Sequence, residues 1–173
     1  MIPYVPEDFA DVAVAHWKRE RPDLDFRAMG TLARFARLHV VGGARVDAIF
    51  SAHGIDRGEF DVLAGLRRTG TPFELMPSQL ADILLVTRAG MTKRIDRLER
   101  RGLVVRRHAV EDRRSVKIAL TIAGKALIDD AVAAHAENEN QLLTLLTPSE
   151  ASAFDATLRK LLSALTLAHP EKE

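Results

Sequence analysis

The feature that most restricts the fold is a change of hydrophobic period in the middle of the chain. From Arg88 to Arg101, residues Met91, Ile95 and Leu98 fall in one narrow sector at 100° per residue, the pattern of a helix with one buried face. Beyond Gly102 the period becomes two. Leu103 to Arg107 alternates, and Ser115 to Leu120 sets Val116, Ile118 and Leu120 on one side. The charged linker His108 to Arg114 joins these segments into a predicted β-hairpin with a basic tip. A shorter helix comes first: Pro77 suits its opening position, and Ser78 to Leu84 continue it. Thr87 is a natural N-cap for the helix that follows.

The flanks read as helices. Phe9, Val12, Ala13, His16 and Trp17 recur at helical spacing within Glu7 to Glu20, before Pro22 interrupts. A longer helix is expected from Phe26 to Ser51, interrupted or loosened at Gly42-Gly43, with Gly54 as its C-terminal cap. Glu59 to Arg68 reads as a short, largely apolar helix. Thr121 caps a helix expected to reach about Leu146, and Thr147-Pro148-Ser149-Glu150 opens the last one. The predicted fold is mainly α (α+β): a winged helix–turn–helix with long N- and C-terminal helices. Within a single domain spanning 1–173, the expected parts are N-terminal dimerisation helices (1–53), a nucleic-acid-binding lobe (54–121) and C-terminal dimerisation helices (122–173). The long helices carry more apolar surface than the small lobe can cover, and a second copy of the chain is the simplest cover.

Charge is distributed unevenly. Between Val86 and Lys125 lie twelve basic and four acidic residues, a net +8, whereas the remainder holds 13 basic and 20 acidic residues, a net −7. A basic block in an acidic chain is the footprint of a polyanion-binding surface. Zero cysteines exclude disulfides, Cys-based metal centres and thiol redox sensing. No apolar run approaches the roughly 18 residues of a membrane span, and the first residues lack a basic leader with an apolar core. A cytoplasmic location with no membrane partner is expected. There is no glycine-rich phosphate loop, no His-Glu-x-x-His and no supported Ser/His/Asp set, so an enzyme is not expected. Neither a cofactor nor a metal is expected.

On the Arg88–Arg101 helix, Lys93, Arg97 and Arg100 lie opposite the apolar sector, with Ala89 and Gly90 near that outer face. Small residues admit close backbone approach, and long cations beside them reach guanine edges or phosphates of double-stranded DNA. Thr87 and Arg88, at the helix N-terminus, can hold a phosphate on free backbone amides, and Thr92 lies one turn further on. At the hairpin tip, Arg113 and Arg114 suit the minor groove, with Asp112 as a brace that orients a neighbouring arginine. An amphipathic surface helix and a polar turn are the plain alternatives.

The segment Leu80 to Leu127 resembles the signature region of the MarR (multiple antibiotic resistance regulator) family. The likeness rests on the basic second helix, the hairpin, the Asp-x-Arg tip at Asp112 to Arg114, and the Leu-Thr-x-x-Gly opening of the next helix (Leu120 to Gly124). Met76 departs from it, since a capping Ser or Thr is usual before Pro77. The resemblance implies a homodimer on a pseudo-palindromic operator, usually a repressor, that releases DNA on binding a small aromatic or phenolic effector.

An extra N-terminal helix bearing Trp17, together with Phe60-Asp61-Val62-Leu63 and Thr92 to Arg97, is similar to the urate-responsive branch of that family. That similarity implies a ligand pocket at Trp17, Asp61, Arg94 and Arg106. The residues alone leave other roles open: Trp17 as core, Asp61 as an ion-pair partner, Arg94 and Arg106 on phosphates. Another phenolic effector, or non-specific architectural DNA binding, remain alternatives. His39 lies on the face expected at the dimer core, where protonation near pH 6 would set like charges together. His135 and Glu139 share a helix face, but two ligands do not make a metal site.

Overall fold

A computed structural model describes residues 6–108 and 116–168. The order is α1 (Phe9–Glu20), α2 (Arg27–Ala52), α3 (Arg57–Arg68), β1 (Glu74–Leu75), α4 (Pro77–Ile83), α5 (Arg88–Arg100), β2 (Val104–His108), β3 (Val116–Leu120), α6 (Ile122–Leu143) and α7 (Pro148–Ala168). The chain divides into two compact units, the first ending at Arg57 and the second beginning at Gly58. Among the described residues, no helix is long and apolar enough to cross a membrane.

In the first unit, Asp8 starts α1. Its Oδ1 accepts from the amides of Ala10 (2.9 Å) and Asp11 (3.1 Å), while Asp11 Oδ2 accepts from the Asp8 amide (3.1 Å), a reciprocal cap. Arg34 of α2 then reaches both carboxylates, with Nε 2.7 Å from Asp8 Oδ2 and Nη2 2.6 Å from Asp11 Oδ1. Arg34, with help from the backbone amides, holds the Asp8 carboxyl down at about 2, against an ordinary 3.8. Below this clamp Gly30 faces Val14, Ala10 is fully buried, and Trp17 stacks on Phe26 with ring centroids 6.0 Å apart.

The expected break at Gly42-Gly43 is absent, for α2 runs unbroken through both glycines. Each interior glycine costs roughly 0.5–1 kcal/mol relative to alanine, an intrinsic cost that 26 residues of cooperative helix can carry. Arg57 also ties this stretch down, bonding the Gly43 carbonyl (3.1 Å) and the Asp47 carboxylate (2.8 Å) through Nη2.

The second unit is built on a three-stranded antiparallel sheet in the order β1-β3-β2. Val104 pairs with Leu120 and His108 with Val116, so the expected hairpin is present and its first strand takes in His108, which the sequence pattern places in the linker. Its expected tip, with Asp112, Arg113 and Arg114, lies outside the described residues. The third strand, β1, was not expected. It is two residues long, and Phe73 at φ 59° swings the chain so that its carbonyl accepts from the Leu120 amide (3.2 Å). Leu63 and Leu66 of α3, Leu80 of α4, Met91, Ile95 and Leu98 of α5, Ile118 of β3 and Ile128 of α6 form the buried core. At the departure from the family pattern, Gln79 Oε1 accepts from the Met76 amide (2.9 Å), so the start of α4 retains a cap.

The Leu-Thr-x-x-Gly sequence has a physical reason. Thr121 Oγ1 accepts from the Gly124 amide (2.9 Å) and donates to the Gly102 carbonyl (2.7 Å), so one hydroxyl caps α6 and ties it to the end of α5. A Cβ on Gly124 would lie 1.9 Å from the Leu103 carbonyl oxygen. Only glycine admits this approach, and Gly102 at φ +69° turns the chain into it.

Two outcomes follow from these contacts. Gly124→Ala should destabilise the second unit by about 1–3 kcal/mol, the usual cost of overpacking against backbone, read as a lower midpoint in chemical denaturation. The Asp8 carboxyl titrates lower when folded, so its contribution is complete above the ordinary value and lost as pH falls from about 3.8 to about 2. Trp17 emission should report that loss as an acid transition, and Asp8→Asn should remove the pH-dependent part while weakening α1 at neutral pH.

Candidate nucleic-acid interface

α5 is fixed by what it buries. Met91, Ile95 and Leu98 are each at most 1% exposed, so the rotation of the helix about its axis is set by packing. Thr87 Oγ1 accepts from the Gly90 amide (3.2 Å) and starts the helix, while Thr92 Oγ1 donates back to the Arg88 carbonyl (3.0 Å). Arg101 is the C-cap, with its amide bonded to the Arg97 carbonyl.

With rotation fixed, the cations of α5 sort into two stripes. Lys93 and Arg100 are exposed and, with Gly90, Arg94, Asp96 and Arg97, border an open depression of about 450 Å³. Arg94, Arg97 and Arg101 recur at i, i+3 and i+7 on the side that meets α3. Arg94 Nη1 stands 3.9 Å from Asp61 Oδ2, and its guanidinium lies over Gly58, where a Cβ would meet Nε at 2.8 Å. Arg97 Nε lies 3.6 Å from Glu59 Oε1, and Arg101 Nη1 donates to Glu59 Oε2 at 3.0 Å. A second depression, also about 450 Å³, is bordered by Pro77, Ser78, Arg88 and Thr92 where α4 and α5 begin.

Thr87, Arg88, Gly90, Thr92, Lys93 and Arg97 are therefore all on α5 or its cap, as expected. Arg97 differs in one respect, because it has a carboxylate partner in Glu59 as well as an exposed flank. Glu59 escaped the sequence reading. Asp61 looked like the acid that needed a cation, yet its side chain is 42% exposed, whereas Glu59 is 6% exposed. The signal was present, since Glu59 precedes the run Phe60 to Leu66 and lies one helical turn from Leu63.

The four residues of the implied ligand pocket are distributed as follows. Asp61 and Arg94 are neighbours. Arg106, on β2, binds back to α5: its guanidinium pairs with Asp96 and Glu99, and its amide donates to Glu99 Oε1 (3.2 Å). The Asp96 hydrogen bond is the main cause of its pKa being raised above the ordinary arginine value. Trp17 belongs to the first unit, on α1. His39 is exposed on α2, and His135 Nε2 sits 3.3 Å from Glu139. No group of three or more potential metal ligands occurs among the described residues.

Comparison with known proteins gives a consistent picture. The model of the MarR family matches residues 53–115. The HTH-type transcriptional regulator PecS of Dickeya dadantii is 39% identical over 145 residues, spanning 84% of this chain and 87% of PecS. The HTH-type transcriptional repressor YetL of Bacillus subtilis is 31% identical, over 68% of this chain and 70% of its own. Among solved structures, AbsC, a MarR family transcriptional regulator from Streptomyces coelicolor, superposes with a TM-score of 0.72 at 18% identity, covering 82% of this chain and 96% of AbsC. A mutant of MepR from S. aureus, bound to an oligodeoxyribonucleotide, superposes at 0.56 with 24% identity, over 78% of this chain and 97% of MepR.

Proposed function

Because this chain belongs to the MarR family of winged-helix transcriptional regulators, we propose that it works as a homodimer that sets α5 of each copy in the major groove of a pseudo-palindromic operator and represses transcription there. The observation that carries this reading is the open depression on α5, which cations of both stripes border. Lys93, Arg97 and Arg100 stand beside Gly90 around an open depression, on a helix whose opposite sector is locked in the core. Long cations next to a residue without a side chain are what close approach to base edges requires. Thr87, Arg88 and Thr92 are the phosphate-side contacts in this reading, since Thr87 caps the N-terminus of α5, where the helix dipole favours an anion, and Arg88 and Thr92 border the depression there. Arg113 and Arg114, braced by Asp112, are assigned to the adjacent minor groove.

Residues 1–53 and 122–173 are the dimer-forming parts and 54–121 the reading lobe. The support is apolar exposure: Leu32 on α2 and Leu162 on α7 are 60% and 64% exposed, and α7 has no buried residue among those described. Surfaces of this kind are covered in stable proteins, and a two-fold pair also matches a two-fold operator.

The effector in this reading is a small aromatic or phenolic anion, urate foremost, held at Trp17, Asp61, Arg94 and Arg106. Arg106 supplies the coupling. An anion that draws its guanidinium away leaves Asp96 and Glu99 without that partner, and Asp96 borders the same depression as Lys93 and Arg100. Two freed carboxylates beside the phosphate-facing stripe oppose DNA binding, so ligand and duplex compete through differential affinity.

Two measurements check the reading. A duplex selected by the protein from a random pool should bind two chains per site, and preference over a scrambled duplex should be about 10³-fold or more. Lys93→Ala with Arg100→Ala should flatten the slope of log K against log salt by about two; equal affinity for both duplexes would instead mark an architectural binder. Urate should weaken operator binding by about 5–150-fold and change Trp17 emission saturably. Arg106→Ala, which leaves Asp96 and Glu99 without that partner permanently, should bind the operator more weakly than wild type even without ligand and lose the further response to urate. An unaffected wild-type complex at millimolar urate would remove urate from the reading.

A further inference from the structure

Glu59 is a carboxylate at 6% exposure, in the first turn of α3, with one oxygen directed to each of two arginines of the recognition helix. Placing a charge there is costly unless it is matched, and a chain needing only stability could fill the site with an apolar residue. Its partners are not confined to the core. Arg97 is 45% exposed at its side chain and Arg101 is 37% exposed, so both could swing to phosphates if released. Lys93 and Arg100, by contrast, have no such carboxylate anchor on α3 in the contacts described for that helix.

We propose that Glu59 is a positioning residue for DNA specificity: it restrains Arg97 and Arg101 against α3, so that Arg97 is offered to the groove in one direction instead of being spent on the nearest phosphate. This rests on the assignment of α5 as the reading helix, and deepens it. An unrestrained arginine beside a duplex adds affinity for every sequence, because phosphates are everywhere and each neutralised one releases counterions. An arginine held at its Nε by a buried carboxylate keeps the remaining nitrogens of its planar fork for a base edge. The restraint thus lowers affinity for arbitrary DNA and raises discrimination. The neighbouring Asp61–Arg94 pair is looser, at 3.9 Å and with a more exposed carboxylate.

The test compares full-length wild type with Glu59→Gln and Glu59→Asp, after confirming folding by circular dichroism and thermal melting. The probes are a duplex selected by wild type from a random pool and a scrambled duplex of equal length, each titrated across a salt series. Glu59→Gln keeps the shape and removes the charge. It should bind the scrambled duplex several-fold tighter at low salt, with a slope steeper by about one to two phosphates, while preference for the selected duplex falls at least tenfold. Glu59→Asp keeps the charge but retracts it by one methylene, so preference should fall while the scrambled-duplex slope stays at the wild-type value. If the Gln variant does not fold, the Asp variant alone decides. Wild-type preference and slope in every folded variant would overturn the proposal. A wild type that selects no duplex would instead overturn the reading helix itself, and the role of Glu59 with it.

Discussion

The arrangement of the second unit depends on the burial of one narrow sector of α5. Met91, Ile95 and Leu98 enter a core made by α3, α4, β3 and α6, and this fixes the azimuth of every other residue on the helix. A helix of 13 residues with six cations, counting its C-cap, would otherwise be a featureless basic rod. Anchored, it becomes a helix with an open stripe and a restrained stripe. The distinction between Lys93 and Arg97, four residues apart, is a consequence of packing on the far side.

The same fixation extends beyond α5. Gly102 turns the chain out of the helix, Thr121 bonds the Gly102 carbonyl, and Gly124 lies against the Leu103 carbonyl. Three small residues therefore join the end of α5, the start of β2 and the start of α6 at one point. Arg106 adds an electrostatic tie from β2 back to Asp96 and Glu99. Movement of β2 consequently has a direct mechanical and electrostatic route to the outer stripe of α5, which is the element a regulator must be able to bias.

Most helices were legible because their ends carry chemistry: Thr87, Thr121 and Thr147 each accept from an amide three residues on, and Glu150 reaches back to Thr147. The hairpin was legible from its period of two. What escaped lacked local periodicity. β1 is two residues long and exists through pairing with β3 across more than forty positions, Glu74 with Ala119. The continuity of α2 through Gly42-Gly43 depends on Arg57, ten or more residues away. The Asp61–Arg94 neighbourhood was anticipated and is present, whereas Glu59 was hidden because an acid at the start of a helix is ordinarily read as a dipole partner exposed to water. Burial depends on which way the first turn of α3 faces, and the one local cue was that Glu59 lies a helical turn before Leu63, on the face that the run Phe60 to Leu66 buries.

Charge and apolar surface then act on different scales. The basic block of net +8 lies between Val86 and Lys125, while the rest of the chain is net −7. At a physiological Debye length of about 8 Å, charges farther than that from a polyanion in contact with α5 are largely screened, so the near-neutral total does not cancel the local effect of the α5 cations. Much of the apolar exposure lies elsewhere: Leu32, Phe35, Leu38 and Val40 on α2, and Leu161, Leu162 and Leu165 on α7, are outside the basic block, with Ile122 at the start of α6 an exception. The cations of α5 and the exposed apolar side chains of α2 and α7 therefore come from different stretches of the chain, as the proposed division between reading and pairing surfaces requires.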